Sequence, residues 1–129
     1  MEPGTTVEID GGRFDTLEGF YDELARVLLP GNVSWGRNLD ALRDVLRGGF
    51  GTPETPYRLV WREAAKSRRD LGHAETARQL ELRLARAHPD NHAAIQAELA
   101  AARRGEGPTV FDWLRDILDE AEGVELVLA

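Results

Sequence analysis

In the stretch "WGRNLDALRDVL", residues 35–46, Asp40 and Asp44 fall four positions apart, so a helix there carries both carboxylates on one edge. Like charges at that spacing cost a helix roughly 0.2–0.5 kcal/mol, so the pair is either an ordinary solvated face or has a use other than helix stability, and the local pattern does not decide between them. Asp40 lies in the first turn after Asn38, at the positive end of the helix dipole, whereas Asp44 lies a turn later and gains less from it. Arg37, Arg43 and Arg47 are close enough along the chain to pair with these acids. A second acidic set, Asp112, Asp116, Asp119 and Glu120, gathers in the last helical segment against one basic residue, Arg115. Trp35 and Gly36 precede the first pair, and an aromatic in a loop beside carboxylates is anchor chemistry for a protein interface.

Catalytic chemistry finds less support. Paired carboxylates serve in glycoside hydrolysis only where a cleft raises one pKa, and acids flanked by three arginines are poorly placed for that. No glycine-rich phosphate loop follows a strand, and no serine, histidine and aspartate are arranged for nucleophilic attack. The chain has no cysteine, which removes thiolate catalysis, thiolate metal sites and disulfides. His88 and His92 stand four apart, but Pro89 between them sets them in a turn and not on one helical face. The expectation is a binding protein without catalysis, metal or cofactor.

The net charge of −7 is unevenly spread: residues 1–61 carry −4, residues 62–107 carry +2, and residues 108–129 carry −5. Such a surface repels phosphate backbones, so nucleic acid is not an expected partner, and it steers a basic protein toward itself. No apolar run approaches membrane-spanning length, and "MEPGTTVEIDGGRF" has neither the basic nor the apolar region of a signal peptide, so the expected location is cytoplasmic.

The elements that would position the acids follow from periodicity. "TTVEID" (residues 5–10) alternates like a strand and ends in the turn former "DGG". Leu17, Phe20, Leu24, Val27 and Leu28 recur at helical spacing behind Thr16 as N-cap, with Glu18, Asp22 and Glu23 suited to the early turns, and Pro30-Gly31 ends the run. Asn38 caps the next helix, whose buried stripe is Leu39, Leu42, Val45 and Leu46, and Gly48-Gly49 stops it. "YRLVW" (residues 57–61) is a buried strand after the stiff connector "TPETP". Residues 73–87 and 91–104 form a helical hairpin about "HPDN", with Ala77, Leu80, Leu84 and Ala87 facing Ile95, Leu99 and Ala102. Thr109 and Asp112 resemble a capping box for a last helix that turns Phe111, Leu114, Leu118 and Ala121 inward, and "VELVLA" closes the chain as a third strand. Trp61 and Trp113 sit on apolar faces and are simplest as core. Helices between every pair of strands predict an α/β fold with a three-stranded parallel sheet covered by helices.

The stretch around the aspartates also resembles the barstar family, whose signature is an aromatic-Gly-x-Asn-Leu-Asp-Ala-Leu-x-Asp run opening the second helix. Trp35, Gly36, Asn38, Leu39, Asp40, Ala41, Leu42 and Asp44 match it. "VEIDGGRF" is similar to the family's first strand, "YRLVWREAAKSR" to its second strand and the segment after it, and "FDWLRDILDEAEGVELVLA" to its last helix and strand. The resemblance covers residues 7–67 and 108–129 and implies one barstar-like domain over 1–129, with the helical hairpin inserted at about 68–107.

It further implies an intracellular, stoichiometric inhibitor of a small basic secreted ribonuclease of the barnase or related guanyl-specific type, monomeric when free. In that role Asp44 enters the enzyme's phosphate-binding pocket, Asp40 supports it, Trp35, Gly36 and Asn38 shape the adjoining loop, Asp116 and Glu120 supply the acids of the last helix, and Ser34 and Arg43 complete the expected partner-binding set. A ribonuclease gathers cations to hold a phosphodiester, so fixed carboxylates can stand in for the phosphates. The chain departs from the family pattern at Ser34 and Arg43, where an aromatic is common; Arg43 sits beside the acids and weakens their field. The alternative is a barstar-fold adaptor that binds a non-nuclease protein through the hairpin.

Overall fold

A computed structural model describes residues 4–31, 34–48 and 50–129. Thr5–Asp10 (β1), Tyr57–Arg62 (β2) and Val124–Leu128 (β3) form a parallel sheet in the order β1-β2-β3. Val7 lies opposite Leu59 and Leu59 opposite Leu126, and one step along, Ile9, Trp61 and Leu128 are in line. The central strand is buried on both faces, with Tyr57, Leu59, Val60 and Trp61 all sequestered, as a parallel strand under helices must be. The α/β class and the parallel three-stranded sheet are as the spacing predicts.

Leu17–Leu28 (α1) and Leu39–Arg47 (α2) cross from β1 to β2. The Thr16 hydroxyl accepts the Gly19 N–H at 3.1 Å, so α1 starts where its cap was expected. Phe20 of α1 meets Trp61 at 5.2 Å between ring centroids, and Trp61 meets Phe111 at 5.1 Å, which centres the core on β2. The Trp61 indole N–H donates to the Ser67 hydroxyl at 3.0 Å, satisfying the one polar atom of that ring.

Glu23 departs from expectation. It does not serve an early turn of α1 facing water, but is buried, where its carboxylate accepts the Asp10 N–H at 2.8 Å and pairs with Arg26 at 2.7 Å and Arg13 at 3.2 Å. Its side chain points off α1 toward the end of β1, where a backbone donor needs an acceptor. Ala64–Asp70 (α3), a stretch to which periodicity assigned no element, is a further short helix. Among the stops, Gly48 follows α2 as predicted; Gly49, Asn32, Val33 and residues 1–3, which entered the expectations for that stop, the preceding loop and the N-terminus, lie outside the described residues.

His73–Arg86 (α4) and His92–Arg103 (α5) form the expected hairpin, joined through a 3-10 turn at Pro89–Asn91. Leu80, Ile95, Leu99 and Ala102 make a small core of their own, and Trp113 packs against both this cluster and the main one. Trp113 is therefore a half-buried bridge between the two and not a residue of the main core alone. The hairpin is fastened to the sheet layer by polar contacts. Buried Glu75 accepts the Leu17 N–H at 2.9 Å, Arg78 joins Glu75 to Glu18, and the Thr76 hydroxyl accepts the Val110 N–H at 2.9 Å. One turn of α4 thus caps the starts of two other helices.

Val110–Glu120 (α6) begins with the predicted capping box: the Asp112 N–H donates to the Thr109 hydroxyl at 3.2 Å, and the Thr109 N–H donates to Asp112 at 2.9 Å. Phe111, Leu114 and Leu118 are buried as expected, and Ala121 is half-buried. Gly123, in the left-handed region at φ +76°, turns the chain into β3; a Cβ there would lie 2.6 Å from Thr55 Cβ, so this tight turn takes only glycine. Among the described residues no helix is long and apolar enough to cross a membrane.

Candidate functional site

The start of α2 is fixed before its acids are considered. Asn38 Oδ1 accepts the Ala41 N–H at 2.8 Å, and its amide group donates to the Gly36 carbonyl at 3.4 Å, so one side chain caps the helix and ties down the loop. Gly36 runs close to the helix: a Cβ would lie 3.0 Å from Ala41 Cβ. Arg37 takes a left-handed φ of +53°, uncommon for a side chain of its size, and its guanidinium pairs with Asp22 of α1. Trp35 is half-buried, its ring edge-on to Tyr21 at 5.4 Å, while Ser34 beside it is exposed. A well-fixed loop therefore leads into a short helix held down by Leu42, Val45 and Leu46.

On the outer edge of that helix stand the two aspartates. Asp40 is 94% exposed and pairs with Arg43 at 3.0 Å; Asp44 is 58% exposed and pairs with Arg47 at 2.9 Å. Both are i,i+3 pairs in water. Arg37, expected near these acids, is instead drawn to Asp22, because the left-handed turn aims it back at α1.

α2 packs against α6, and the α2 residues that line the two grooves between them are Leu39, Arg43, Leu46 and Arg47, while Asp40 borders the groove toward α1 and α4. Asp116 and Glu120, one turn apart on α6, share a groove with Leu39 and Arg43 of α2. A second groove, about 600 Å³, lies between Arg43, Leu46 and Arg47 on one wall and Ile117, Glu120 and Glu122 on the other. Arg115 lies 3.6 Å from Asp116 and 3.9 Å from Asp112, so it is shared, and the α6 flank keeps an excess of negative charge. Arg43 lines both grooves and also a third, between α1, α2 and α4.

Every expected site residue is thus placed. Ser34, Trp35, Gly36 and Asn38 form the entry loop, Asp40, Arg43 and Asp44 the α2 edge, and Asp116 and Glu120 the adjoining wall. Sequence reasoning did not pick out Glu122, or Arg83 and Arg86 of α4, which border the same side. The signal for the arginines was present in the basic balance of residues 62–107, but only the hairpin's packing decides which of its faces looks toward α2.

The histidines do not converge: His88 Nδ1 meets the Asp90 N–H at 3.1 Å, and His92 Nε2 meets the Ala87 carbonyl at 3.1 Å. Among the described residues no group of three or more histidine, aspartate or glutamate side chains is disposed to hold a metal ion.

Together the fold and this edge make an α/β module whose short α2 exposes Asp40 and Asp44, each paired with an arginine of the same helix. Over residues 4–104, more than three quarters of the chain, the sequence matches the family described as "Barstar (barnase inhibitor)", and the chain belongs to that family. The matched span includes the hairpin helices α4 and α5 and stops before α6 and β3. No curated protein matches the chain.

Proposed function

We propose that this chain is a stoichiometric protein inhibitor of a small, basic, secreted ribonuclease of the barnase or related guanyl-specific type, and that it closes the enzyme's active site with the acidic edge of α2. The observation that carries this reading is the accessibility of Asp40 and Asp44 on a capped helix in a chain of this family. Such a ribonuclease holds its substrate with a pocket of cations, and carboxylates fixed in advance replace the phosphates there at little ordering cost.

The intramolecular arginines do not prevent this. Solvated pairs such as Arg43–Asp40 and Arg47–Asp44 contribute only about 0.2–1 kcal/mol each. Losing one partner of a charge pair buried at an interface costs about 2–5 kcal/mol, a range for which barnase–barstar interfaces are a known source. Cations in a desolvated pocket therefore outcompete the helix's own arginines. In this role Asp44 enters the pocket, Asp40 supports it, Trp35, Gly36 and Asn38 hold the loop, and Asp116 and Glu120 extend the negative wall.

The protein acts as one domain, without catalysis or cofactor, monomeric when free and in the cytoplasm, where it guards the cell's RNA until the enzyme is exported. The hairpin within 68–107 is an addition that braces α1 and α6.

Titrating purified barnase-type and other guanyl-specific ribonucleases with the protein, while following RNA cleavage, tests the proposal. A target loses activity linearly to a one-to-one end point, and Asp44→Ala weakens inhibition by roughly 30-fold or more, corresponding to the lower end of that energy range. Failure to inhibit any member of the panel, or full potency in the Asp44→Ala variant, contradicts it.

A further inference from the structure

Beside Asp40 opens the third groove, about 760 Å³, between α1, the start of α2 and α4. Its lining carries four arginines, Arg37, Arg43, Arg83 and Arg86, against two carboxylates, Glu18 and Asp40. Glu18 is already engaged by Arg78 and Gln79, and Arg37 by Asp22. Arg83 lies over the Trp113 ring, 5.3 Å from its centroid, and among the described residues neither Arg83 nor Arg86 has a carboxylate at ion-pair distance. Leu82, one of the two most exposed large apolar side chains among the described residues, lies in the same groove at 37% exposure. In a chain of net charge −7, a groove this cationic contrasts with the surface as a whole.

We infer that this groove is a second contact with the same ribonuclease, taking an acidic segment, with aspartate or glutamate side chains, that borders the enzyme's cationic cleft. The inference rests on the inhibitory role proposed for α2 and adds to it the chemistry of the partner's neighbouring surface.

Two arguments converge. The first is continuity: Asp40 and Arg43 belong to both the acidic edge and the groove, so a partner that covers Asp40 also covers the groove's mouth. The second is what binding does to Arg43. When the enzyme's cations take Asp40, the guanidinium now 3.0 Å from it loses its partner inside a closing interface. A charge left unpaired and desolvated is costly, and a carboxylate from the enzyme removes that cost. Arg83, which also borders the groove holding Glu98, Asp116 and Glu120, and Arg86, one helical turn on along α4, carry the same demand onto α4. The partner thus presents cations to α2 and anions to α4, an alternation that selects one nuclease among enzymes whose active sites are alike.

The test uses the full-length protein against a purified barnase-type ribonuclease that the wild type inhibits, and compares wild type, Asp44→Ala and the double variant R83E/R86E. Two outcomes have opposite signs. If only the long-range field mattered, making the inhibitor more acidic would speed its association with a basic enzyme and tighten binding. If the groove takes a carboxylate segment, R83E/R86E binds at least tenfold more weakly, chiefly through faster dissociation. Should that variant melt below the wild type, R83Q/R86Q supplies the same comparison without charge reversal, with several-fold weakening expected. Hydrogen exchange on the wild-type complex adds a readout without substitution, in which residues 79–87 gain protection together with an acidic segment of the enzyme outside its active site. Unchanged or tighter binding by the variants, with Asp44→Ala still crippling inhibition, overturns the inference and leaves the proposed function standing. If the wild type inhibits no ribonuclease at all, the proposed function fails and the inference with it.

Discussion

At the scale of single residues, the proposed role sets the helix's own arginines against an enzyme's cations for the same carboxylates. Arg47 pairs with Asp44 at 2.9 Å while remaining 74% exposed, so it is held by a pair worth little in water. In the proposed complex its charge nevertheless lies where a basic enzyme approaches. Arg47→Ala is therefore expected to speed association with the target a few-fold and to change stability by less than about 0.5 kcal/mol. Stopped-flow association and a thermal melt check both, and a slower association would show that Arg47 itself meets the enzyme. Asp40, Asp44 and Asn38 were legible in the sequence because their roles are local: spacing sets the shared edge, and an asparagine ahead of an apolar stripe sets the cap. The pairing of Arg37 was not legible. Its left-handed φ and its partner on α1 depend on how the loop folds back, and nothing in the stretch itself encodes that direction.

At the scale of elements, buried carboxylates fasten helices to one another. Glu75 accepts the Leu17 N–H and binds Arg78, while Glu23 accepts the Asp10 N–H and binds Arg26. Burial alone would raise both pKa values; in Glu75 the contacts to Arg78, the Leu17 N–H and Gln79 outweigh it, and in Glu23 those to Arg26, the Asp10 N–H and Arg13 do so. Both carboxyls therefore sit below the ordinary glutamate value of 4.5. A carboxyl whose pKa is lower in the folded chain contributes its stability above the unfolded value, and the contribution disappears as pH falls through the folded one. The urea midpoint is expected to hold from neutral pH to about 4.5 and to fall below it. Glu75→Ala, which leaves the buried Leu17 N–H without its acceptor, is expected to lose about 1–3 kcal/mol at pH 7 and to show a shallower acid decline. An unchanged midpoint in that variant would contradict the account of how α4 holds α1. The strands, the hairpin and the caps at Thr16, Asn38 and Thr109 could be read from period and turn chemistry alone. Glu23 and Glu75 could not, because a glutamate on a helix reads as solvated unless the element across from it is known to offer an unpaired donor. The short α3 escaped notice for a related reason: seven residues are too few to show a helical period.

At the scale of the whole molecule, charge is sorted by side. The last segment, residues 108–129, carries −5, and the packing of α6 on α2 sets Asp116 and Glu120 of that segment beside Arg43, while the arginines of α4 border Asp40 in the neighbouring groove. In the role proposed above, a negatively charged body with a cationic strip beside Asp40 is drawn to a basic enzyme and then discriminates at contact. Steering of this kind is screened within about 10 Å at 0.1 M salt, so association should slow as salt rises while dissociation, governed by close contacts, changes less. The central claim is narrower than steering: carboxylates of α2 occupy the place of an RNA phosphate. Competition with a guanosine 3′-monophosphate bound in the enzyme's active site tests it most directly. If the claim holds, the nucleotide and the protein exclude each other, and the apparent dissociation constant of the protein rises in proportion to nucleotide concentration once the site is saturated. A ternary complex of enzyme, nucleotide and protein, with affinity independent of nucleotide, would contradict it.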